Sequence, residues 1–568
     1  MSVFVAFNST NAAAQGTWRA IKKLAPLYGE MHMVLLSDGT VLCRSQGNGG
    51  YGKQYCRLTP DSTGSYVNGS WSVIAPMNNS REYYASQLLK DGRLYVGGGY
   101  YGNGGDSLSE IYDPLTNIWT RTGSVGTIMS QGSTILENGT IIQELYDRHS
   151  TRIYDPATNS YRWGPYSSLP LFDAWVKLPD NSILTAYSTS SVRYIPSLNE
   201  WITDASIPVD LADDFGYAQG AGLLLPNGKA IFFGSSGHTA IYTPSGNSSP
   251  GKWTAGADFP DGNAAVSAPA VLLNNGNVLC TTSPIPEDDV DYNYSPITFY
   301  IYNYRTNSFK SVDGPGNFPL VYPGINFINL PNGQVLFCSF SNQYDVFIPD
   351  GKPIASGAPV LNAITKVNDS VYIATGTGFN GLSEASNHGF DWQLNTNYPL
   401  VRFNSNAGTF YGRTFNWNST GVQRGNLTDT TYLTLPRHLR NGKYHVCVVA
   451  NGIKSNSLYL KIQNGIIVNE AENMGAEDSK SLQKISVEKL SLYPNPATTF
   501  TTVSFYASGH FVLNLSDEKG NILQTKNITA AKGLNTITFD VNSYAAGLYF
   551  VTLIDENKNT RTLKLTRY

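Results

Sequence analysis

SREYYASQLLKDGRLYVGGG (residues 80–99) holds an apolar run, an Asp-Gly pair and a second apolar run that ends in three glycines. Asp-Gly and Asn-Gly accept the positive φ of a tight hairpin turn, so the stretch reads as two antiparallel strands joined at Gly92. The same unit recurs as SDGTVL at Gly39, ENGTII at Gly139, PDNSIL at Asn181, PNGKAI at Gly228, NNGNVL at Gly276 and PNGQVL at Gly333. Successive turn positions lie 53, 47, 42, 47, 48 and 57 residues apart. A repeat of this period points to a solenoid or a propeller.

A second motif follows the hairpin: IYDPLTNIW (111–119), IYDPATNSY (153–161), YIPSLNEW (194–201), YTPSGNSSPGKW (242–253) and IYNYRTNSF (301–309). It reads as a strand, a polar turn and a strand opened by an aromatic residue. Four strands per period predict the blades of a β-propeller, and seven periods predict seven blades. The last repeat stops at VFIPDGKP (346–353) with no outer strand, while GTWRAI (16–21) stands unpartnered ahead of the first. The strand around Trp18 is therefore expected to complete the seventh blade and close the ring.

Composition agrees with an all-β exported scaffold. Charged residues are 14% of the 568 residues and aromatics 12%, with 54 glycines and 29 prolines for turns. A net charge of −3 gives no basic footprint for nucleic acid. No apolar run reaches the roughly 18 residues of a spanning helix. The five cysteines (43, 56, 280, 338 and 447) include no C-x-x-C pair. Cys43 and Cys56 could face each other across a hairpin; buried free thiols are the alternative. Residues 1–14, with Ala12-Ala13-Ala14, read as the remnant of a secretory signal peptide or as a short mobile end.

The repeats over 15–352 resemble kelch blades, and the segment is similar to the propeller of galactose-oxidase-like proteins. Residues 353–463, with NYPLVRF, RTFNWNSTGV and VVANGIKSN, resemble the early-set immunoglobulin-like domain that follows that propeller. Residues 464–488 are polar and acidic and read as a linker. From 489 to 568 the chain resembles the type A sorting domain of the type IX secretion system of Bacteroidota. The matching residues are Tyr493-Pro494-Asn495-Pro496, the Gly520 turn, Gly547-Leu548-Tyr549 and the basic close from Lys564 to Arg567. The resemblance implies export by the type IX machinery, removal of this domain, and either release or anchoring at the outer-membrane surface. The expected fold is thus all-β: a seven-bladed β-propeller, an immunoglobulin-like β-sandwich and a small C-terminal β-sandwich sorting domain.

Galactose-oxidase-like enzymes hold copper with a cysteine-linked tyrosine, a second tyrosine and two histidines. Arg81-x-Tyr83 matches the linked tyrosine. The segment that should carry the cysteine reads LYGEMHMVLLSDG (27–39) and has none, and the expected Tyr-His pair is Tyr322-Pro323. His388 and His438 fall in no matching motif. No copper, no other cofactor and no catalytic residue is therefore assigned. EDDVDYN (287–293) resembles the start of a calcium loop without its glycine and terminal glutamate, which leaves calcium as a possible ligand.

In a propeller, the residues just before each inner strand ring the mouth of the channel. That offset selects His32, Arg81, Glu82, Tyr83, Asp173, Trp175, Asp214, Tyr217 and Tyr322 as a ligand-binding set, with Glu30, Gln131, Asp213, Gln219 and Asn326 beside them. Aromatic faces mixed with carboxylates and amides suit sugars. The expected function is binding of a glycan or a surface protein at the mouth. A polysaccharide lyase or hydrolase using Asp173, Asp213 or Asp214, or a divergent oxidase, is the alternative.

Overall fold

The computed structural model describes residues 16–45, 52–99, 101–102, 107–171, 174–215, 219–285, 295–316, 324–387, 395–422, 424–437, 439–468, 488–493, 495–555 and 560–567. The chain divides into two compact units, Met1–Glu472 and Asn473–Tyr568. Among the described residues the secondary structure is antiparallel strand, with two three-residue 3-10 turns.

Among the described residues of the first unit, six four-stranded antiparallel sheets and one six-stranded sheet, the sixth, follow one another. The second is typical: Ala85–Leu88, Leu94–Gly97, Ser109–Asp113 and Ile118–Arg121, each paired with the next. The first strand of the first sheet, Gly29–Leu35, lies against that of the seventh, Asn326–Asn329, so the sheets form a closed, propeller-like cycle. Closure is also covalently staggered, as expected. Gly16–Ala20 pairs with Asp345–Pro349 and sets Trp18 opposite Phe347. The Trp18 ring packs edge-on against Phe299 and Phe337, which ties the chain start into the wall between the sixth and seventh sheets.

The hairpin turns show why the repeat folds seven times alike. Gly39, Gly92, Gly139, Asn181, Gly228, Gly276 and Gly333 all have φ between 65° and 89°. At each turn a buried leucine, the first being Leu36 and the last Leu330, exchanges two backbone hydrogen bonds across the loop. The Asp or Asn before the turn residue accepts the N–H two positions on, as Asp38 does from Thr40 and Asn332 from Gln334. Local chemistry therefore fixes each hairpin before the sheets meet. The outer turns repeat as closely. Asn117, Asn159, Asn199 and Asn307 sit at positive φ and accept a hydrogen bond from Tyr112, Tyr154, Tyr194 and Tyr302.

After the last sheet, nine strands from Val360–Lys366 to Ile466–Val468 form a second antiparallel system around Leu361, Tyr372, Phe403, Tyr444 and Ile462. Residues 464–468, expected to open the linker, instead form a turn and a strand, and residues 469–487 lie outside the described residues. Asn464 and Gly465 turn the chain at positive φ, and Ile466–Val468 pairs back on Leu458–Gln463. This system docks on the hairpin-turn end of the propeller-like sheets. Tyr411 fills the space beside Gly39, Tyr398 donates its hydroxyl to the Leu35 carbonyl, and Thr420 Oγ1 donates to the Leu136 carbonyl at 2.9 Å.

The C-terminal unit has five strands: Glu488–Tyr493, Phe500–Asp517, Ile522–Asp540, Gly547–Asp555 and Thr560–Arg567. It encloses its own core, including Val503, Phe505, Leu513, Phe539, Val551 and Leu565. Asn495 binds the last strand on both sides, donating Nδ2 to the Lys564 carbonyl at 2.7 Å and accepting the Thr566 N–H at 2.9 Å. Tyr549 donates its hydroxyl to the Ala545 carbonyl, and Gly520 takes the positive φ of the EKGN turn. Pro494 lies outside the described residues.

Candidate functional site

Antiparallel order puts both families of turns at one end of the sheets and leaves the starts of the inner strands at the other. The nine-stranded system covers part of the turn end. Its segment Leu382–Asn387 then enters the centre of the sheets. Leu272 donates its N–H to the Ala385 carbonyl, Ser386–Asn387 pairs with Ala270–Leu272, and Ser386 Oγ donates to the Phe327 carbonyl. Glu384 accepts from Thr134 Oγ1 at 3.3 Å, from the Lys177 N–H at 3.2 Å and from Asn395 at 3.0 Å, and pairs with Lys177 Nζ at 3.4 Å. The channel is filled by protein at this depth.

Tyr83 stands at this open end with φ 50°, a strained value for an aromatic residue, and its ring packs edge-on to Tyr101. Next to it, Glu82 bridges to the Tyr101 backbone and forms an ion pair with the buried Arg44. Arg44 lies 5.4 Å from the Tyr84 ring centre. The network then runs inward: the Tyr84 and Tyr55 hydroxyls share a hydrogen bond, Tyr55 and His32 Nδ1 share one at 3.1 Å, and His32 Nε2 and Ser86 share one at 2.7 Å. Burial and the Arg44 charge hold the His32 pKa well below its usual value, so the ring is neutral. His32 is thus a buried link in a polar network and not a solvent-facing contact.

Two other expected mouth residues are also corrected to interior roles. Arg81 is fully buried and donates to the Gly98 and Leu108 carbonyls and to Glu110. Trp175 is fully buried against Trp201 and donates its indole N–H to the Leu171 carbonyl, so no ring face remains for a sugar. Asp214 is exposed. Asp173, Tyr217, Tyr322, His388, His438 and the acidic run at 287–293 lie outside the described residues. Cys43 and Cys56 are opposed in register across their hairpin, but all five cysteines are buried free thiols.

Among the described residues only part of the copper ligand set that the resemblance implies can be assessed. The described residues offer Tyr83, while His32, on the inner strand where the cysteine was sought, spends both ring nitrogens on Tyr55 and Ser86. No group of three metal-ligating side chains occurs among the described residues.

The offset argument missed the residues that do project. Tyr101, Tyr146, Tyr166, Phe215 and Phe340 are 42 to 67% exposed, and all sit in loops at the open end. They lie between second and third strands or on crossings between sheets, where loop length varies and a fixed offset finds nothing. Phe215 and Asp214 are adjacent, and Asp213 accepts the Phe215 N–H, which fixes that turn.

One open-end carboxylate is a liability. Asp345 is 5% exposed, its Oδ2 has no hydrogen-bond partner, and burial pushes its pKa from 3.8 up to about 6. A carboxyl raised in the folded state favours folding below its unfolded pKa and loses that contribution as pH rises toward 6. Asp345→Asn should stabilise the chain by about 2–3 kcal/mol at pH 8 and hardly at pH 3.5. Urea unfolding at the two pH values measures this, and equal effects at both would refute it.

Comparison with known proteins adds the address. Residues 491–566 match the family model of the secretion system C-terminal sorting domain. No curated protein matches the chain. Among solved structures, a fungal copper-bound alcohol oxidase of the AA5 family aligns over 79% of this chain and all of its own, with 13% identity and a TM-score of 0.48. Virginiamycin B lyase from Staphylococcus aureus aligns over 59% of this chain and all of its own, with 11% identity and a TM-score of 0.41. The sorting domain marks the chain as an exported protein, secreted or attached at the cell surface. Among the described residues no helix is long and apolar enough to cross a membrane.

Proposed function

We propose that this exported protein binds carbohydrate at the open end of its propeller-like unit and carries out no chemistry there. One observation supports the reading: exposed rings at Tyr101, Tyr146, Tyr166, Phe215 and Phe340 gather on the one end that the nine-stranded system leaves uncovered. Rings of this kind stack on the apolar faces of sugars, and Glu82 and Asp214 supply acceptors for hydroxyls. In this reading the type IX machinery of a Bacteroidota cell exports the protein and the sorting domain is then removed.

A glycan array probed with the full chain, beside Tyr101→Ala and Phe215→Ala, tests the proposal. Each substitution should weaken binding about tenfold, equivalent to about 1.4 kcal/mol. Unchanged binding in both would remove the open end as the site. Shortened or unsaturated glycan products would replace the binding role with that of a hydrolase or lyase.

A further inference from the structure

The seven repeats allow the chain to be compared with itself. At the turn end, the third, fourth and fifth sheets enclose a groove of about 960 Å³, lined by the hairpin turns at 136–138 and 180–182 and the outer turns at 194–199 and 246–248. The repeat is broken at several points there. The fourth hairpin turn carries Asn181 where the other six carry glycine. The outer turns of the second and third sheets begin with Asp113 and Asp155, whose side chains accept the N–H two residues on. The fourth has Ile195 in that place. In the fifth, Tyr242 and Trp253 are eleven positions apart, against seven between Tyr112 and Trp119, so the turn is four residues longer.

That longer turn is held in one shape at some cost. Arg193 is fully buried; it donates Nη1 to the Asn247 carbonyl at 2.8 Å, Nη2 to the Ser249 carbonyl and Nε to Asp204 at 3.0 Å. Asp204 in turn accepts the Gly251 N–H at 2.9 Å and the Tyr242 hydroxyl at 3.0 Å. A buried ion pair is a poor source of stability, whereas a loop fixed from beneath is a preorganised wall.

We propose that this groove is a second binding site, for an oligosaccharide. Its lining is mainly amides and hydroxyls. Its carboxylates are already compensated, Glu137 by Arg424 at 3.5 Å and Asp180 by Arg193 at 3.4 Å. Such a lining satisfies many hydroxyls, and the exposed Arg162 beside it adds a cationic donor. The volume falls in the range of ligand clefts, and repeat-specific insertions commonly mark a binding face. The site does not depend on the open-end reading.

Titration calorimetry of the full chain with cellohexaose, mannohexaose and maltohexaose is the test. Ser248→Trp and Ser197→Trp each place a ring in the groove from an exposed position. At least one hexasaccharide should bind, and either substitution should weaken it about tenfold or more, a loss of about 1.4 kcal/mol. If Ser248→Trp does not fold, Ser197→Trp decides. Wild-type affinity in the folded variants, or no binding of any hexasaccharide, would each overturn the proposal.

Discussion

Arg81→Ala is expected to lower the unfolding free energy of the first unit by about 3–5 kcal/mol, the usual cost of leaving a buried charge without its partner. Both side chains of the Arg81–Glu110 pair are fully buried, with Nη2 and Oε1 2.8 Å apart. The other Glu110 oxygen accepts from the Asn78 N–H at 2.7 Å, and Asn79 donates its N–H to Oε1 at 3.0 Å. Burial pushes the Glu110 pKa up, but the Arg81 hydrogen bond and charge and these N–H groups outweigh it and leave the carboxyl below its usual value. A depressed carboxyl contributes stability above its unfolded pKa and loses it as pH falls through the folded one. The deficit of Arg81→Ala should therefore be full at pH 7 and shrink in acid. Arg81→Lys should recover only part, because a single ammonium cannot serve Gly98, Leu108 and Glu110 together as a planar fork does. Urea denaturation at pH 7 and pH 4 reads both effects. A loss under about 1 kcal/mol at pH 7, the scale of an exposed pair, would show that this pair carries little.

Arg81 also shows where sequence reading stopped. Arg-x-Tyr ahead of an inner strand located the open end correctly, but whether a side chain there faces the mouth or the interior depends on one step of alternation. The turn around Tyr83 takes Arg81 inward, and three glycines admit its neighbours. A Cβ on Gly98 would lie 2.4 Å from the Met129 carbonyl oxygen, and one on Gly99 would lie 2.8 Å from the Arg81 side chain. The glycine run thus serves close backbone packing. The hairpins and the Trp18 closure were legible because their determinants are local or complementary: a residue that tolerates positive φ, and a strand without a partner facing a sheet without a strand.

The filled channel was not legible. Glu384 and Lys177 are 207 residues apart, and neither sits in a motif; their meeting depends on how the nine-stranded system docks. Nor were the exposed rings, whose loops obey no period. The groove between the third and fifth sheets was not legible either, because the repeat is also broken in the first and sixth sheets. Should both proposed sites bind sugars, they would lie at opposite ends of the strands. One long glycan or two neighbouring ones could then be held with an avidity that neither site has alone.

Deletion of residues 489–568 is expected to reduce the extracellular protein to background while the first unit stays folded. The basis is twofold. The deleted residues contain the whole match to the sorting-domain family, so the export machinery loses what it reads. They also enclose a separate core, from Ala497 to Leu565, and none of its members belongs to the clusters of the first unit. A loss of export can then be separated from a loss of folding. Immunoblots of culture fluid, cell surface and cell interior in a bacterium with a type IX system would show the truncated chain retained inside. Its resistance to protease and its urea midpoint should match those of the first transition of the full chain. Truncated protein outside the cell at the full-length level would refute the sorting role. Truncated protein that is absent from every fraction would show that the terminal unit contributes to stability after all. Asn495→Ala probes the same unit more gently. It removes two hydrogen bonds to the last strand and should cost about 1–2 kcal/mol of that unit's stability, with export reduced only as far as the unit unfolds.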